Sequence, residues 1–391
     1  MKKSSRWGLS TRAVHAAERS VEGSVSFPIF QTSMFLADDE VAYDDIKYIR
    51  HNNLPNQEML GKKFAALAGT ETALPFASGM AAITASLHTY LGAGDKIIAH
   101  NTLYGGTYDY LKNELPKLGI ETVFVDAGDP NSWPKQGIPN AKLFYIEALT
   151  NPLTRIPAID AVIKYAARFN LKTFIDATFA TPVNFRPAER GIDLVMHSAS
   201  KYLAGHSDLV AGIIAGKQED INRIKHTSNH LGGCLDPMAC HVLTRSLKTL
   251  PLRMQRHNEN GLALANFLEC HDAVSRVYYP GLASHPDHQR AQEFFDGYGG
   301  MLGVEMRLTA LAEGVVRNTK LFPHAGSLGG VQSLISRPAA TSHLALSLDE
   351  QRVLGIAPEL LRLSCGIEDA EDLITDIQQA IDLTLESKRS I

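Results

Sequence analysis

The residues in this sequence that could do chemistry follow short apolar segments, at points where strands would end. The clearest group is His197-Ser198-Ala199-Ser200-Lys201-Tyr202, which closes the apolar run beginning at Asp193. Ser198 and Ser200 offer hydroxyl donors to a phosphate. A lysine is ordinarily a surface residue, but one partly buried among these hydroxyls could have its amine deprotonated for attack on a carbonyl carbon. The segment therefore predicts an anion site beside a reactive lysine.

Two further strand ends carry groups that could bind a ligand. At Ser78-Gly79-Met80 a strand breaks and a helix begins, so backbone N–H groups at the helix N-terminus are open to an anion; the alternative is an ordinary turn. Asp176 closes the apolar segment 172–175, where a carboxylate is unfavourable unless a cation or a hydrogen-bond donor meets it. Its alternative role is a helix N-cap. A fourth strand end, Glu147 to Pro152, could be only an Asn-Pro turn.

Together these groups are the ones that hold pyridoxal 5'-phosphate. Helix N–H groups and serines suit its phosphate, a carboxylate 25 residues before the lysine suits its ring nitrogen, and Lys201 suits a Schiff base with its aldehyde. The combination is far more specific than any one of its members.

The elements that must position these residues alternate in a βαβ rhythm from Ala73 onward. The strand segments are continuously apolar, which indicates a mostly parallel sheet covered by helices on both faces. Beyond about residue 250 a helical period dominates, with a Gly-rich strand start at 297–303 and a final amphipathic helix over about 370–385. We expect an N-terminal arm over 1–60, a large cofactor-binding α/β domain over 61–250 and a smaller C-terminal α+β domain over 251–391.

Composition excludes several other classes of protein. With 38 basic and 42 acidic residues in 391, the formal charge of -4 gives no excess to neutralise nucleic acid. Four scattered cysteines and no apolar run of membrane-spanning length predict a cytoplasmic protein outside the membrane, although the basic, serine-containing N-terminus faintly resembles a transit peptide. His285 and His288 in Ser-His-Pro-Asp-His lack a third ligand, so we expect a surface loop and no metal.

Over nearly its whole length the sequence resembles the Cys/Met-metabolism family of pyridoxal-phosphate enzymes, which includes cystathionine γ-synthase and the cystathionine and methionine γ-lyases. The matching segments are LSTRAVHA, FPIFQTS, FASGMAAI, LYGGTYDYL, HSASKYLAGHSDLVAG, LDPMACHVLTRSLKTLPLRMQRH, SLGGVQSLISRPA and LRLSCGIEDAEDLI. The resemblance implies fold type I, the aspartate-aminotransferase-like fold, and an amino-acid substrate.

The resemblance also implies roles for individual residues. Lys201 is the Schiff-base lysine, and Tyr104 stacks on the ring and acts as an acid or base beside it. The implied cofactor-binding residues are Ser78, Gly79, Met80, Tyr104, Asp176, Ser198, Ser200 and Lys201, with Tyr48 and Arg50 reaching the phosphate from a neighbouring subunit. Arg362 holds the substrate α-carboxylate with help from Asn151, Ser327 and Tyr48. A homodimer is then the smallest active unit, and a homotetramer is expected.

Three departures from the family pattern bear on the substrate. The arm motif Tyr-Ile-Arg-His-Asn-Asn-Leu-Pro at 48–55 has one extra residue and lacks a glycine, and Gln332 replaces a common glutamate. Gly326 stands where synthases and cystathionine lyases commonly carry a glutamate, which disfavours cystathionine. The acidic arm around Asp44 and Asp45 could meet a distal cation or be a solvated loop.

We therefore expect a γ-lyase acting on a methionine- or homocysteine-like or an oxygen-linked amino acid, such as an O-acylhomoserine or canavanine. The alternative is γ-replacement, as in cystathionine γ-synthase or an O-acylhomoserine sulfhydrylase, because SLGGVQSLIS and GIEDAEDLI look most like the synthase. A protein of this fold that binds a ligand without turnover is a third possibility, disfavoured by the presence of Lys201, Asp176, Tyr104 and Arg362 together.

Overall fold

A computed structural model describes residues 7–36, 41–341, 351 and 354–389. The acidic residues Asp38, Asp39 and Glu40 of the arm lie outside this described part. The chain forms two compact units. The first contains residues 1–100, 106–148 and 157–251, and the second contains 101–105, 149–156 and 252–391. Two short excursions, 101–105 and 149–156, thus interrupt the first unit and pack with the second.

The first unit is built on a seven-stranded sheet with the order β1-β7-β6-β5-β4-β2-β3. Its strands are β1 Thr72–Phe76, β2 Lys96–His100, β3 Glu121–Val125, β4 Ala141–Glu147, β5 Lys172–Asp176, β6 Leu194–Ser198 and β7 Gly212–Gly216. Neighbouring strands from β3 to β6 are parallel, and β7 runs antiparallel to both β1 and β6. Central residues such as Ile97, Phe144 and Ile175 are fully buried, as expected for a sheet covered on both faces. The predicted mostly parallel sheet is confirmed.

The second unit contains a four-stranded antiparallel sheet in the order β10-β11-β9-β8. Its strands are β8 Val274–Tyr278, β9 Met301–Met306, β10 Leu334–Ser336 and β11 Leu360–Ser364. Alternating residues of these strands and one face of the last helix form a common core that includes Leu302, Leu361 and Ile377. The smaller α+β architecture predicted for the C-terminal part is confirmed.

The helices connect and cover these strands, and several begin or end at residues that favour helix termini. They are α1 Leu9–His15, α2 Pro55–Ala68, α3 Gly79–Tyr90, α4 Gly105–Asp109, α5 Ile159–Phe169, α6 Thr181–Asn184, α7 Gln218–Leu231, α8 Pro237–Leu247, α9 Leu250–Glu269, α10 His288–Phe294, α11 Thr309–Asn318 and α12 Ala370–Arg389. Proline at the first position of α2 and α8, and left-handed glycines after α2 and α7, follow the usual asymmetry of helix ends.

Short 3-10 and π turns complete the described secondary structure. The helix after Tyr104 is α-helical only as far as Asp109. It then continues as a π turn, Tyr110–Glu114, and a 3-10 turn, Leu115–Leu118, where Pro116 cannot donate a backbone hydrogen bond. Other 3-10 turns are Tyr43–Asp45, Ile49–His51, Pro130–Ser132, Pro187–Arg190 and Pro338–Ala340. Within the described residues no helix is both long enough and apolar enough to span a membrane.

Candidate active site

The predicted phosphate-binding residues of the first unit come together because β1 and β6 flank the same antiparallel strand. Phe76, at the end of β1, and Ser198, at the end of β6, both pair with Gly212 at the start of β7. The carboxyl ends of β1 and β6 therefore lie at one edge of the sheet, where ligands of open α/β sheets bind. Three sequence-predicted residues, Ser78, Gly79 and Ser198, meet at this edge.

The N-terminus of α3 lies against the end of β6 at unusually short distance. Ser78 is the N-cap of α3, and its Oγ accepts a hydrogen bond from the Ala81 N–H at 3.0 Å. A Cβ added to Gly79 would lie 3.1 Å from Cβ and 3.2 Å from Oγ of Ser198, and a Cβ on Gly212 would overlap the carbonyl of Ser78. Glycine is thus required at position 212, and at position 79 it allows the close approach by which the helix N–H groups stand beside the Ser198 hydroxyl.

Asp176 and Ser198 are connected by a residue that the sequence reading missed, Thr178. Its backbone N–H and its hydroxyl both donate to Oδ1 of Asp176, at 2.9 and 2.5 Å, and its Oγ1 accepts from the Ser198 N–H at 2.8 Å. One hydroxyl thereby orients the carboxylate and fixes the last residue of β6. The Asp-x-Thr spacing was the available signal, because an aspartate commonly accepts bonds from the residue two positions later.

Burial raises the pKa of Asp176 to about 6, while the hydrogen bonds from Thr178 lower it. Asp176 pairs in register with Met196 on β6, and its neighbour on β4 is Glu147, which is also buried. A buried carboxylate with a raised pKa is stabilised as an anion by a cationic partner, and a protonated ring nitrogen would be one.

We expect the stability of the apoprotein to depend on pH through Asp176. An unfolded aspartate titrates near 3.9, so between about pH 4 and 6 Asp176 binds more protons in the folded chain, and its own contribution to the free energy of unfolding falls by roughly 3 kcal/mol as the pH rises. Buried His257 and His285, whose pKa values are lowered to about 4, contribute in the opposite direction. In urea denaturation of cofactor-free protein, the free energy of unfolding should therefore rise more steeply from pH 4 to 6 in Asp176→Asn than in the wild type. The exposed Asp272→Asn variant is the control, and an equal pH slope in both variants would contradict the assignment.

The turn after β6 places Lys201 three residues beyond Ser198. The Lys201 N–H donates to the Ser198 carbonyl at 3.2 Å, and its own carbonyl accepts from Gly205 at 2.8 Å, so backbone bonds fix the turn on both sides. Lys201 is partly buried, as the sequence reading required. The Ser200 hydroxyl donates to the Ala211 carbonyl and accepts from the Ala211 N–H, so in this structure it closes the turn, and its phosphate contact stays a prediction.

The arm residue Arg50 lies against α7 of the same unit, and Tyr48 lies beside Arg50. The Arg50 guanidinium donates to the Asn229 carbonyl and lies 5.5 Å from the centre of the Tyr48 ring. Both carboxylate oxygens of Asp44 are bonded to α7, to His226 Nδ1 at 2.8 Å and Asn229 Nδ2 at 2.7 Å. Asp44 therefore anchors the arm to α7, whereas Asp45 is exposed. A contact of this acidic pair with a distal cation stays a prediction. A contact of the arm with a neighbouring subunit stays a prediction.

The second unit brings together all three of Arg362, Asn151 and Ser327. Arg362, on β11, is 3% exposed. Its NH1 donates to Asn151 Oδ1 at 3.3 Å, and its NH2 donates to the carbonyls of Gly326 and Ser327, each at 3.1 Å. These neutral oxygens orient the guanidinium through dipoles without an opposing charge of their own. Space at Gly326 is open, since an added Cβ would meet no atom within 4 Å.

Two other sequence-predicted features also belong to the second unit. Tyr104 lies in the 101–105 excursion with 46% of its surface exposed, and its stacking role stays a prediction. The expected surface loop at Ser-His-Pro-Asp-His is only partly correct. Ser284 and Pro286 are exposed, but His285 is 3% and Asp287 6% exposed, because both bond to the 149–156 excursion. In the described part of the chain no group of three or more His, Cys, Asp or Glu residues is arranged to hold a metal ion.

The donor set of the first unit fits pyridoxal phosphate. A helix N-terminus kept open by Gly79 and flanked by Ser198 suits a phosphate dianion, and a buried carboxylate with a raised pKa suits a pyridinium. Lys201 follows on the same turn as Ser198.

Comparison with known proteins agrees with this fit. The family model described as "Cys/Met metabolism PLP-dependent enzyme" matches residues 10–382. Cystathionine gamma-lyase of Bacillus subtilis is 39% identical over 361 residues, which cover 92% of this chain and 95% of that protein. L-methionine gamma-lyase of Fusobacterium nucleatum is 36% identical, and the match covers 98% of this chain and 99% of that protein. Cystathionine beta-lyase of Bacillus subtilis is 37% identical, and the match covers 96% of each protein.

A solved structure extends the likeness to three dimensions. A candidate O-acetylhomoserine (thiol)-lyase of Campylobacter jejuni, which contains an N'-pyridoxyl-lysine-5'-monophosphate residue, matches with a TM-score of 0.91 and 29% identity, over 96% of this chain and all of that one. The predicted family, fold type I and cofactor are thereby confirmed. The chain belongs to the Cys/Met metabolism family of enzymes dependent on pyridoxal 5'-phosphate, and amino acids are its class of substrate.

Proposed function

We propose that this enzyme is a γ-lyase that acts on a γ-substituted L-amino acid other than cystathionine. The observation that carries the proposal is the open space at Gly326, whose carbonyl accepts a hydrogen bond from Arg362. If Arg362 holds the α-carboxylate, no side chain at position 326 offers a charge to a second, distal amino-acid group. Methionine, homocysteine, an O-acylhomoserine or canavanine fits this arrangement better than cystathionine does.

The residues of the chain have the following roles in the proposed reaction. The cofactor phosphate is held by Ser78, Gly79, Met80 and Ser198, with Ser200 as a further contact. Tyr48 and Arg50 reach the phosphate bound by a neighbouring subunit. Asp176 holds the ring nitrogen. Bound pyridoxal phosphate supplies the electron sink that makes protons on the substrate's Cα and Cβ acidic and allows a γ-substituent to leave.

The proton transfers are proposed to fall to two side chains. The Lys201 amine removes the Cα proton and then a Cβ proton, and the Tyr104 hydroxyl exchanges a proton with the departing γ-group. Arg362, Asn151 and Ser327 orient the substrate by its carboxylate, so that the bonds to be broken are held in one position. With one molecule of water consumed in hydrolysis, the products of elimination are a 2-oxo acid, ammonia and the protonated leaving group.

γ-Replacement is the second candidate, favoured by the structural likeness to a candidate O-acetylhomoserine (thiol)-lyase. A substrate screen separates the two. Purified holoprotein is incubated with L-methionine, L-homocysteine, L-cystathionine, O-acetyl- and O-succinyl-L-homoserine or L-canavanine, with and without a thiol, while 2-oxo acid and ammonia are measured. We expect 2-oxo acid without a thiol from at least one substrate. If no substrate gives 2-oxo acid without a thiol, and a new thioether forms when a thiol is added, the enzyme catalyses replacement instead.

The substitution Gly326→Glu tests whether the absence of a charged side chain at position 326 disfavours cystathionine. Cystathionine has a distal ammonium group, and a carboxylate at an exposed position adds a modest attraction, so we expect its kcat/KM to rise about three- to tenfold relative to the best substrate of the screen. Gly326→Gln is the matched control, since it fills the same space without a charge. An equal rise in both variants would show that volume, rather than charge, governs selection at this position.

We also propose that a homodimer is the smallest active unit and that dimers pair into a homotetramer. The family resemblance places Tyr48 and Arg50 at a neighbouring subunit's phosphate. Light scattering coupled to size-exclusion chromatography should give a mass of about four 42.7 kDa chains. An active monomer would contradict the proposal.

A further inference from the structure

The Ser-His-Pro-Asp-His segment, which has no part in the chemistry above, makes a buried contact with the excursion that carries Asn151. Asp287 lies at the N-cap position of α10, yet its side chain makes no capping bond there. Its Oδ2 accepts instead from Arg155 Nε at 2.6 Å and from the Ile156 N–H at 3.0 Å, and Oδ1 accepts from the second arm of the Arg155 fork at 3.3 Å. A helix-capping residue has thus been diverted to hold another segment.

Arg290, one turn along α10, bonds to the same residue, Ile156. Its NH1 donates to the Ile156 carbonyl at 3.0 Å, so Ile156 is held by both its N–H and its C=O. Burial would raise the pKa of Asp287, but the bonds from Arg155 and Ile156 outweigh burial and hold the pKa below its usual value. The carboxylate is therefore ionised throughout the neutral range, so its hydrogen bonds with Arg155 and Ile156 do not depend on pH there.

The excursion is a loop closed by hydrogen bonds between its own ends, and Asp287 and Arg290 hold its last two residues. The Thr150 N–H donates to the Arg155 carbonyl, and the Arg155 N–H donates to Thr150 Oγ1, each at 3.0 Å. Thr154 within the loop has φ of +50°, a left-handed conformation that a β-branched residue avoids unless its surroundings impose it. Because the loop contains such strain, we expect it to relax when Arg155 and Ile156 are released.

Asn151, inside this loop, is the residue that receives NH1 of Arg362. We propose that Asp287 is a positioning residue for carboxylate recognition: by fixing Arg155 and Ile156 it fixes Asn151, and through Asn151 the guanidinium of Arg362. The inference rests on the proposed role of Arg362 in binding the α-carboxylate. It gives the Ser-His-Pro-Asp-His segment a function in substrate selection at a distance from the reacting atoms.

The test compares two ligands that differ only in a carboxylate. Holoprotein is titrated with L-alanine and with ethylamine, which is alanine without its carboxyl group, and the dissociation constants are read from the change in cofactor absorbance. In Asp287→Ala we expect the L-alanine constant to rise about tenfold and the ethylamine constant to stay within twofold of the wild type. Asp287→Asn, which keeps an acceptor for Ile156, should show a smaller rise.

Controls separate this inference from the function on which it rests. Asp272→Asn, an exposed aspartate of the same unit, should change neither constant, and thermal denaturation checks that each variant is folded. If Arg362→Lys weakens L-alanine selectively but Asp287→Ala does not, the positioning role is wrong and the proposed function stands. If Asp287→Ala weakens both ligands equally, the residue serves only the fold. If Arg362→Lys does not distinguish the ligands, both proposals are overturned.

Discussion

Replacing Lys201 with alanine is expected to lower kcat by on the order of 10²- to 10⁴-fold for every substrate of this enzyme, because the amine is proposed to move the protons at both Cα and Cβ. The backbone of the turn should survive, since its bonds from Lys201 N–H to Ser198 and from Gly205 to Lys201 use main-chain atoms only. Cofactor should still bind through its phosphate and ring nitrogen. We therefore expect a folded protein that is colour-shifted relative to the wild type and has almost no turnover.

The experiment measures 2-oxo acid formation together with the absorbance spectrum and the melting temperature. Lys164→Ala, at an exposed position on α5, is the matched control and should retain wild-type activity. Added primary amines should restore part of the activity of Lys201→Ala if the missing group is a base. Turnover near the wild-type rate in a protein that has lost Lys201 would break the assignment.

Arg362→Lys is expected to lower kcat/KM by on the order of 10²-fold, mainly by raising KM. Arg362 is 3% exposed, and its fork is oriented by Asn151, Gly326 and Ser327. A lysine keeps the charge but cannot offer two parallel N–H groups to a carboxylate, and disturbing a buried hydrogen-bonded ion pair costs about 2–5 kcal/mol. The loss should therefore appear in substrate affinity rather than in the proton transfers.

Steady-state kinetics on the best substrate of the screen give the two constants separately. Arg317→Lys, an exposed arginine on α11, is the control for the change of residue type. A fall in kcat with an unchanged KM would place Arg362 in the chemical step instead of in substrate binding.

Several residues of the candidate cofactor site could be identified from residue type alone, and their roles stay predictions. Apolar strands ending in Asp176 and in the Ser-Ala-Ser-Lys segment indicated both the parallel sheet and the edge at which ligands bind, because the carboxyl ends of parallel strands meet. The Asp-x-Thr spacing at 176–178 also indicates, from sequence alone, that Thr178 donates to the Asp176 carboxylate. Gly326 could be compared with the family pattern, but only the structure shows that the space beside it is open.

Long-range contacts lay beyond the sequence reading for a physical reason. The Ser-His-Pro-Asp-His segment consists of residues that favour turns, so local preference indicates an exposed loop. Its burial arises from Arg155 and Ile156, which lie about 130 residues earlier in the chain. Asp44 was similarly ambiguous until α7 supplied His226 and Asn229 as its partners.

The sequence by itself determined the family, the cofactor and the strand–helix alternation, and it supplied the candidate residues of the site, since these follow from local periodicity and from motifs of neighbouring residues. Only the tertiary structure decided that residues 101–105 and 149–156 pack with the second unit, that Thr178 joins Asp176 to Ser198, and that Asp287 holds the loop of Asn151. These contacts join residues whose separation in sequence carries no periodic signal, so they are set by the packing of whole elements rather than by the preferences of any one segment.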